Sequence, residues 1–432
     1  MVNGKVDGTN WREVYRDKLV TADEAAKKIK DGDKIVFQQT HMVTDGLIDA
    51  VAKRAEELHD VEFFGSTNIG RGTIFKPEYQ DTFRYRCIFL DGNSRGSYVT
   101  GQSELVPCHY SMLNQYLEEV YKPNVLFVTL SMPDENGMTS LSVNVDFTEK
   151  CVDICDMVIG QLNPYAPKTV GNEISLDKFT WLVELEEPLP VLPQTKMSPV
   201  EQSIGEHIAP YIQDGIGGVP DALLACMYDK KDLGVHTEVF GDGIVDLYER
   251  GVITGKYKQI DVGKIVSNCV LGSRRALDFC DNNPDVLIRS VDYTNDPYVI
   301  RQNHNMISIN AALQVDLFGQ VAADTLNGRA YSGIGGQVDF VRGATMSKGG
   351  KSFISLPSTA KKGTASRIVP ALNSNTPVTT SRYDVQYLVT EYGAVRLWGL
   401  STRERAQAII SIAHPDFRAE LTEQAKQMGL VL

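Results

Sequence analysis

The sequence predicts an α/β protein with mostly parallel sheets. Short apolar runs alternate with amphipathic segments along the whole chain. The clearest runs are Val125–Leu130, Met157–Ile159, Ile265–Leu271, Val286–Ile288 and Met306–Ile309. Apolar runs of this length are typical of strands that are buried on both faces, as in parallel sheets. Helical patterns between such strands complete the α/β alternation.

The N-terminal region begins this alternation. Thr21-Ala-Asp-Glu24 is a capping-box pattern that starts a short helix, and Asp31-Gly-Asp33 predicts a turn into a strand at Lys34–Phe37. Helical periodicity follows over residues 47–58, before a second strand at Val61–Phe64. Further helices are predicted over Ser111–Val120, Val200–Gln213, Asp221–Tyr228 and Ser273–Cys280.

The length of 432 residues favours more than one domain. The segment Glu186-Glu-Pro-Leu-Pro-Val-Leu-Pro193 interrupts the alternation, because closely spaced prolines can neither continue a helix nor pair in a central strand. We therefore place a boundary near residue 195, which gives two α/β domains, 1–195 and 196–432. Ligands of such proteins bind at the carboxyl ends of strands or between domains.

Composition narrows the class of protein. Hydrophobic residues make up 42% of the chain and charged residues 23%, as in soluble globular proteins. No apolar run approaches the roughly 20 residues that span a bilayer, and the first residues do not resemble a signal peptide, so we expect a cytoplasmic protein without a membrane partner. The net charge of −12 argues against a general nucleic-acid binder. Seven cysteines predict no disulfide framework, and Cys151 and Cys155 are interpreted as core residues rather than metal ligands.

Two glycine-rich turns are candidate anion sites, Gly215-Ile-Gly-Gly218 and Gly333-Ile-Gly-Gly336. Glycine lets backbone N–H groups approach a phosphate or a developing oxyanion closely. The first turn lacks the spacing of a dinucleotide motif, since a third glycine is missing and Pro220 follows. Pro220 suits the first turn of a helix, so this turn either points its amides at an anion or simply joins a strand to a helix.

Three polar residues, His236, Glu238 and Asn310, interrupt apolar segments between these turns. Leu233-Gly-Val-His-Thr-Glu-Val-Phe240 predicts a strand with His236 and Glu238 on one face. An isolated glutamate is usually a surface charge or an ion-pair partner, but beside the glycine turns Glu238 is a candidate nucleophile. His236 has no G-x-S-x-G serine to act on and is interpreted as a packed imidazole. Asn310 must be satisfied by the backbone or held for a substrate oxygen.

Six strings in the second half occur together and in order: G-I-G-G-V-P-D-A, G-V-H-T-E, I-N-A-A-L-Q-V-D, G-I-G-G-Q-V-D-F-V-R-G-A, T-T-S-R and E-Y-G. In these strings, and in P-D-E-N-G and K-P-E-Y of the first half, the chain resembles the class I coenzyme A transferases of the acetyl-CoA hydrolase/transferase group. It is most similar to the branch with 4-hydroxybutyrate, butyrate and propionate CoA-transferases, enzymes of short-chain fatty acid metabolism and fermentation.

The resemblance implies two open α/β domains with the active site at their interface, and a ping-pong exchange of coenzyme A between an acyl-CoA and a carboxylate. Coenzyme A is then a co-substrate, and neither a metal nor a redox cofactor takes part. Glu238 corresponds to the glutamate that attacks the thioester and becomes a glutamyl-CoA thioester. With an ordinary pKa near ~4.3 it would be ionised at neutral pH and would need no partner base. A homodimer is the default assembly.

The same resemblance assigns further residues. Gly335 or Gly336 would donate a backbone N–H to the oxyanion, an interaction whose loss typically raises the barrier by about 2.7–4 kcal/mol. Asn310 would lie near the reacting thioester, and Glu391 would orient the site. The implied coenzyme A contacts are Gly215, Ile216, Gly217, Gly218, Val219, Leu313, Gly336 and Lys362.

Two alternatives remain open from the sequence. One is an acyl-CoA hydrolase on the same scaffold, in which water reaches the glutamyl thioester. The other is a non-catalytic protein that binds coenzyme A or a nucleotide. For the transferase we expect acetyl-CoA as a donor and overlapping use of acetate, propionate, butyrate and 4-hydroxybutyrate, since one methylene changes binding by only about 1–3 kcal/mol.

Overall fold

The structure is a computed structural model that describes residues 10–193, 197–212, 215–216, 221–326 and 328–430. The described strands are β1 (Lys34–Phe37), β2 (Val61–Gly65), β3 (Phe83–Cys87), β4 (Ser103–Leu105), β5 (Val125–Leu130), β6 (Met138–Ser140), β7 (Met157–Leu162), β8 (Glu173–Ser175), β9 (Trp181–Glu184), β10 (Gly215–Ile216), β11 (Gly234–His236), β12 (Val239–Phe240), β13 (Ile265–Ser267), β14 (Cys269–Val270), β15 (Val286–Ile288), β16 (Ile307–Ala311), β17 (Gln314–Asp316), β18 (Val321–Ala322), β19 (Thr325–Leu326), β20 (Arg329–Ala330), β21 (Lys351–Ser355), β22 (Thr359–Ala360), β23 (Ala365–Ser366), β24 (Ile368–Val369), β25 (Tyr387–Thr390) and β26 (Gly393–Arg396).

The α-helices of the described residues lie before the first of these strands, between the strands and after the last of them. They are α1 (Trp11–Val14), α2 (Ala22–Ala26), α3 (Asp45–Ala52), α4 (Ser94–Thr100), α5 (Leu113–Tyr116), α6 (Thr148–Ile154), α7 (Pro199–Ile208), α8 (Asp221–Leu224), α9 (Asp242–Glu249), α10 (Arg274–Cys280), α11 (Val291–Thr294), α12 (Pro297–Ile300), α13 (Gln337–Met346), α14 (Thr402–Ser411) and α15 (Pro415–Gln427). The predicted α/β class with mostly parallel sheets is confirmed. The predicted capping box is present too, with reciprocal hydrogen bonds between Thr21 and Glu24.

The chain forms two compact units. The first comprises Met1–Pro193 with Val266–Tyr293, and the second comprises Gln194–Ile265 with Thr294–Leu432. The segment Val266–Tyr293 therefore belongs to the first unit, although the sequence-based division at residue 195 assigns it to the second domain. The division into domains 1–195 and 196–432 stays a prediction. None of the helices in the described ranges has the length and apolar character that crossing a membrane requires.

The first unit is built on a parallel sheet with strand order β4-β3-β2-β1-β5-β7-β9. Strand β1 pairs in parallel with β2 and with β5. All six residues of β5 are buried, which explains why its sequence shows no polar alternation. Aromatic rings fill part of the core, since Phe63 contacts Phe37 and Phe83 edge to face.

The second unit contains a sheet with the order β16-β21-β25-β26, in which β16, β21 and β25 are parallel and β26 is antiparallel. Helix α13 precedes β21 in the chain and packs on β16 and β21. Strand β10 pairs in parallel with β11, with Gly215 opposite Gly234. Buried aliphatic residues of this unit form one core, which includes Ile354 of β21, Leu388 of β25 and Val315 of β17.

Two predicted strands are interrupted in the structure. The run Leu233–Phe240 is not one strand, because β11 ends at His236 and β12 begins at Val239 in a different sheet. Glu238 therefore lies at the bend between two strands, and the alternation that placed it on one face with His236 does not continue through it. The run Ile265–Leu271 is likewise divided into β13 and β14.

Candidate active site

Glu238 lies two residues after the end of β11, where the chain leaves the sheet. Its side chain is partly buried, and Asn295 Nδ2 donates a hydrogen bond to its Oε2 at 2.7 Å. The backbone N–H of Gly336 donates a second hydrogen bond to the carboxylate. Gly336 immediately precedes α13, so the carboxylate meets the N-terminus of a helix, where unpaired N–H groups and the helix dipole favour negative charge.

Gly336 is required at this position by space rather than by backbone conformation. Its φ of −91° is accessible to any residue, but a Cβ there would lie 2.0 Å from Glu238 Oε2 and 2.2 Å from Asn295 Nδ2. Gly335 differs, because its φ of 54° is left-handed and a Cβ would lie 3.6 Å from Glu238 Oε1. The second glycine-rich turn therefore brings its backbone against the carboxylate of Glu238.

The environment of Glu238 raises its pKa to about 7. Burial is the main cause, because it disfavours the ionised form, and the negative charge of Asp339 adds to it. The hydrogen bonds from Asn295 and Gly336 act in the opposite direction. The expectation of an ordinary glutamate pKa is thus wrong, since a substantial fraction of Glu238 is protonated at neutral pH.

This pKa predicts a pH dependence of catalysis. Only ionised Glu238 can attack a thioester, so kcat/KM for the acyl-CoA is expected to rise between pH 6 and 8, with its midpoint near 7, the value to which the pKa is raised. A pH profile of initial rates measures it. Asp339→Asn removes a negative charge that disfavours ionisation of Glu238. The pKa of Glu238 should therefore fall in this variant, and the increase in kcat/KM should move to lower pH. A profile that is flat over this range would contradict the assignment of Glu238.

His236 is buried, and its Nε2 lies 2.9 Å from the carbonyl oxygen of Thr294. Because a carbonyl only accepts, Nε2 carries the proton in this contact. Burial, reinforced by the charge of Lys258, lowers the pKa of His236 to about 4, so the ring is neutral at physiological pH. His236 therefore anchors the residue next to Asn295, in agreement with its interpretation as a packed imidazole.

Asn310 lies in β16, opposite Ile354 of β21, and is partly buried. Its Nδ2 donates to Ser308 Oγ at 2.8 Å, so the partner of this amide is a side chain and not the backbone. Gln337, the first residue of α13, donates from Nε2 to the carbonyl oxygen of Ala311 at 2.9 Å. This bond joins the helix start beside Gly336 to the end of β16 that carries Asn310.

Glu391 follows β25, and its carboxylate accepts hydrogen bonds from Ser358, at 2.8 Å from the backbone N–H and 2.6 Å from Oγ. Its carbonyl oxygen accepts from Ser203 Oγ at 3.0 Å. These contacts tie Glu391 to the loop after β21 and to helix α7. The structure thus gives Glu391 a clear part in holding that loop, and its role in orienting the reacting groups stays a prediction.

The predicted coenzyme A contacts are distributed over several loops. Gly215 and Ile216 form β10 beside β11, whereas Gly217, Gly218 and Val219 lie outside the described residues. Leu313 is partly buried and its N–H donates to the carbonyl oxygen of Ala322. Lys362 is exposed, in a turn where Lys361, Lys362 and Gly363 have φ values of 49°, 57° and 89°. Left-handed backbone is unfavourable for lysine, so this turn holds its basic side chains in a strained arrangement.

Asn295 is the contact that sequence reasoning missed. It is fully buried, and its Oδ1 accepts from Thr294 Oγ1 at 3.0 Å, which directs Nδ2 toward Glu238. In the sequence it precedes Asp296-Pro297, a pattern that predicts a helix start, and Asp296 does cap α12. Nothing in this local pattern points to Glu238, which is 57 residues away in the chain.

Comparison with known proteins identifies the family. Residues 3–193 match the acetyl-CoA hydrolase/transferase N-terminal domain, and residues 272–425 match the C-terminal domain of the same family. The chain belongs to the acetyl-CoA hydrolase/transferase family. The resemblance drawn from the six sequence strings is confirmed, and the protein is an enzyme of the CoA-transferase type.

Within the described ranges, no group of three or more His, Cys, Asp or Glu side chains is arranged to hold a metal ion.

Three relatives illustrate the similarity. The chain is 40% identical to the 4-hydroxybutyrate coenzyme A transferase of Clostridium kluyveri, over 96% of this chain and 99% of the relative. It is 34% identical to the butyryl-CoA:acetate CoA-transferase of Anaerostipes caccae, over 97% and 98% of the two chains. The crystal structure of RipA from Yersinia pestis superposes with a TM-score of 0.92 at 36% identity, over 98% of this chain and all of that one.

Proposed function

We propose that this enzyme transfers coenzyme A from a short acyl-CoA to a free short-chain carboxylate, through a glutamyl-CoA thioester on Glu238. The observation that carries the proposal is the carboxylate of Glu238, held by Asn295 and by the Gly336 N–H at the start of α13. A carboxylate placed against fixed donors suits acyl transfer, because the same donors stabilise an oxyanion on its own carbon.

The reaction proceeds in four balanced steps. An oxygen of Glu238 attacks the thioester carbonyl, the C–S bond breaks, and an acyl-glutamyl anhydride and the coenzyme A thiolate form. The thiolate then attacks the glutamyl carbonyl of the anhydride and releases the first carboxylate, which leaves glutamyl-CoA. The incoming carboxylate attacks the glutamyl carbonyl of this thioester, the C–S bond breaks, and a new acyl-glutamyl anhydride and the coenzyme A thiolate form. The thiolate then attacks the acyl carbonyl of this anhydride, which gives the new acyl-CoA and releases the carboxylate of Glu238. The activation energy is conserved throughout, so no ATP is needed.

The surroundings of the two carboxylate oxygens suit different tasks. When the thiolate attacks the glutamyl carbon, negative charge develops on Oε2, to which Asn295 Nδ2 donates and beside which Gly336 lies. Oε1, on the side of Gly335, is then the oxygen that attacks the acyl group. Asn310 precedes Ala311, whose carbonyl oxygen accepts a hydrogen bond from Gln337 at the start of α13. We assign to Asn310 a hydrogen bond to the thioester carbonyl of the substrate.

The remaining assignments concern the ends of the substrates. Gly215 through Val219, Leu313, Gly336 and Lys362 are proposed to contact coenzyme A, with the exposed Lys362 near its phosphates. The names of the relatives from Clostridium kluyveri and Anaerostipes caccae support 4-hydroxybutyrate, butyrate and acetate as carboxylates. We expect overlapping use of these acids, because an apolar pocket distinguishes one methylene by only about 1–3 kcal/mol.

The first test is the covalent intermediate. Intact-protein mass spectrometry after mixing with acetyl-CoA is expected to detect a coenzyme A adduct, which peptide mapping assigns to Glu238 and which added butyrate removes. Glu238→Gln should form no adduct, whereas Glu420→Gln, a change of the same kind on the exposed face of α15, should form it normally.

Two other outcomes identify the alternatives. An adduct that decays in water as fast as in butyrate, with free acetate as product, would make the protein a hydrolase. Binding of acetyl-CoA without an adduct, and with the same affinity in Glu238→Gln, would make it a non-catalytic binding protein. Either result would overturn the proposed transfer reaction.

A further inference from the structure

The unit that carries Glu238 contains a cavity whose lining does not include Glu238. Its volume is about 440 Å³, and it is lined by Gly234–His236, Tyr257–Gln259 and Asn303–Met306. Gly234 is the first residue of β11, and Met306 immediately precedes β16. The lining runs along the whole of β11 as far as His236 and reaches the residue before β16, and neither Glu238 nor Asn310 belongs to it.

Lys258 provides a buried positive charge at this cavity. Its side chain is packed so closely that a Cβ on Gly234 would lie 2.6 Å from Lys258 Cγ. The ammonium group donates to the carbonyl oxygens of Val235 at 2.9 Å and Lys264 at 2.8 Å. An ammonium carries three N–H donors, so one remains for a further acceptor. Burial lowers the pKa of Lys258 to about 8, against the opposing effect of Asp261, so the group is still mostly charged at pH 7.

Asn303 provides a second donor. It is only 5% exposed, and its Oδ1 accepts a hydrogen bond from the backbone N–H of Gln259 at 3.2 Å. That bond shows which atom of the Asn303 amide is the oxygen, so the atom still available to bind a ligand is the donor Nδ2. Nδ2 is buried and has no hydrogen-bond partner within the described residues. Leaving a buried donor unpaired is unfavourable, which makes an accepting ligand the natural partner of Asn303 Nδ2.

We propose that this cavity is a binding site for a small oxyanion, a phosphate or a carboxylate group, held by Lys258 Nζ and Asn303 Nδ2. Both groups are hydrogen-bond donors and cannot accept, so the ligand must present acceptor atoms. The positive charge of Lys258 favours an acceptor that is negatively charged over a neutral one. The volume admits a larger molecule that carries the anionic group, with the exposed side chains of Tyr257 and His304 at the opening. The two groups proposed to hold the oxyanion, Lys258 Nζ and Asn303 Nδ2, have no part in the transfer steps proposed at Glu238, although His236 also lines the cavity.

The test is isothermal titration of the full-length protein with inorganic phosphate and, separately, with acetate, in a buffer free of both. In Asn303→Asp the acceptor for the Gln259 N–H is kept while Nδ2 is replaced by a carboxylate oxygen. Lys258→Met keeps most of the aliphatic packing on Gly234 and removes the charge. Each change is expected to weaken binding of the anion that uses this site by at least about tenfold, since a charge-assisted hydrogen bond contributes about 1.5–3 kcal/mol.

The matched control is Lys256→Met, which removes the same charge two residues away, from an ammonium that pairs with Asp232 at 2.6 Å outside the cavity lining. Binding should be unchanged in this variant. Phosphate and acetate are distinguished by which titration loses affinity in Asn303→Asp. The proposal is overturned if neither anion shows saturable binding that depends on Asn303 and Lys258, or if Lys256→Met weakens binding to the same degree.

Discussion

Glu238→Gln is expected to lower kcat for exchange between acetyl-CoA and butyrate by about three orders of magnitude or more, the scale seen when a covalent nucleophile is removed. Glutamine has the shape of glutamate, and its carbonyl oxygen can still accept a hydrogen bond from Asn295 Nδ2. Acyl-CoA affinity and thermal stability should therefore be retained. Steady-state turnover and equilibrium binding, measured on the same preparation, separate the two effects.

Glu238→Asp refines this experiment. Aspartate keeps the carboxylate but withdraws it by one methylene from the donors at the start of α13, and a displacement of about 1 Å can reduce a rate by about 100-fold. Turnover of this variant should thus lie between those of the parent and Glu238→Gln. If Glu238→Gln instead retained full turnover, the nucleophile would have to be sought elsewhere.

Much of the fold could be predicted because its determinants are local. Strand β5 was visible as Val125–Leu130, since a strand buried on both faces needs an uninterrupted apolar run. The helix start at Thr21 was visible because both partners of a capping box lie within four residues. The break between β11 and β12 was not visible, because alternation continues through Thr237 and Glu238 although the chain changes sheets there.

The candidate site could be predicted only in part. Glu238 and the glycines at 335 and 336 stood out by their motifs, and the structure brings them into contact. The contact from Asn295 depends on how two distant loops pack, and nothing in spacing or composition encodes it. The raised pKa of Glu238 could not be predicted from the sequence either, because its burial and its proximity to the charge of Asp339 both depend on the tertiary structure.

Gly336→Ala is expected to reduce kcat by about 100-fold to 1,000-fold, comparable to the loss of an oxyanion donor. The added methyl group would lie 2.0 Å from Glu238 Oε2 and 2.2 Å from Asn295 Nδ2, so the carboxylate and the amide must both move. Alanine tolerates the backbone conformation at this position, with φ −91° and ψ 15°, so helix α13 should still form. The loss should therefore appear in turnover and adduct formation, with little change in the melting temperature.

Gly335→Ala is the matched control, because it adds the same methyl group one residue earlier. At Gly335 the methyl group has room but the backbone conformation is unfavourable for alanine, whereas at Gly336 the reverse holds. Its Cβ would lie 3.6 Å from Glu238 Oε1, an ordinary contact, but the φ of 54° is unfavourable for alanine by roughly 1–2 kcal/mol. This variant should lose stability while keeping most of its turnover, the reverse of Gly336→Ala. Equal losses of turnover in the two variants would mean that the turn as a whole matters, and that the Gly336 N–H is not the specific donor to Glu238. Full turnover in Gly336→Ala would show that the contact seen between this backbone and the carboxylate is not used in catalysis.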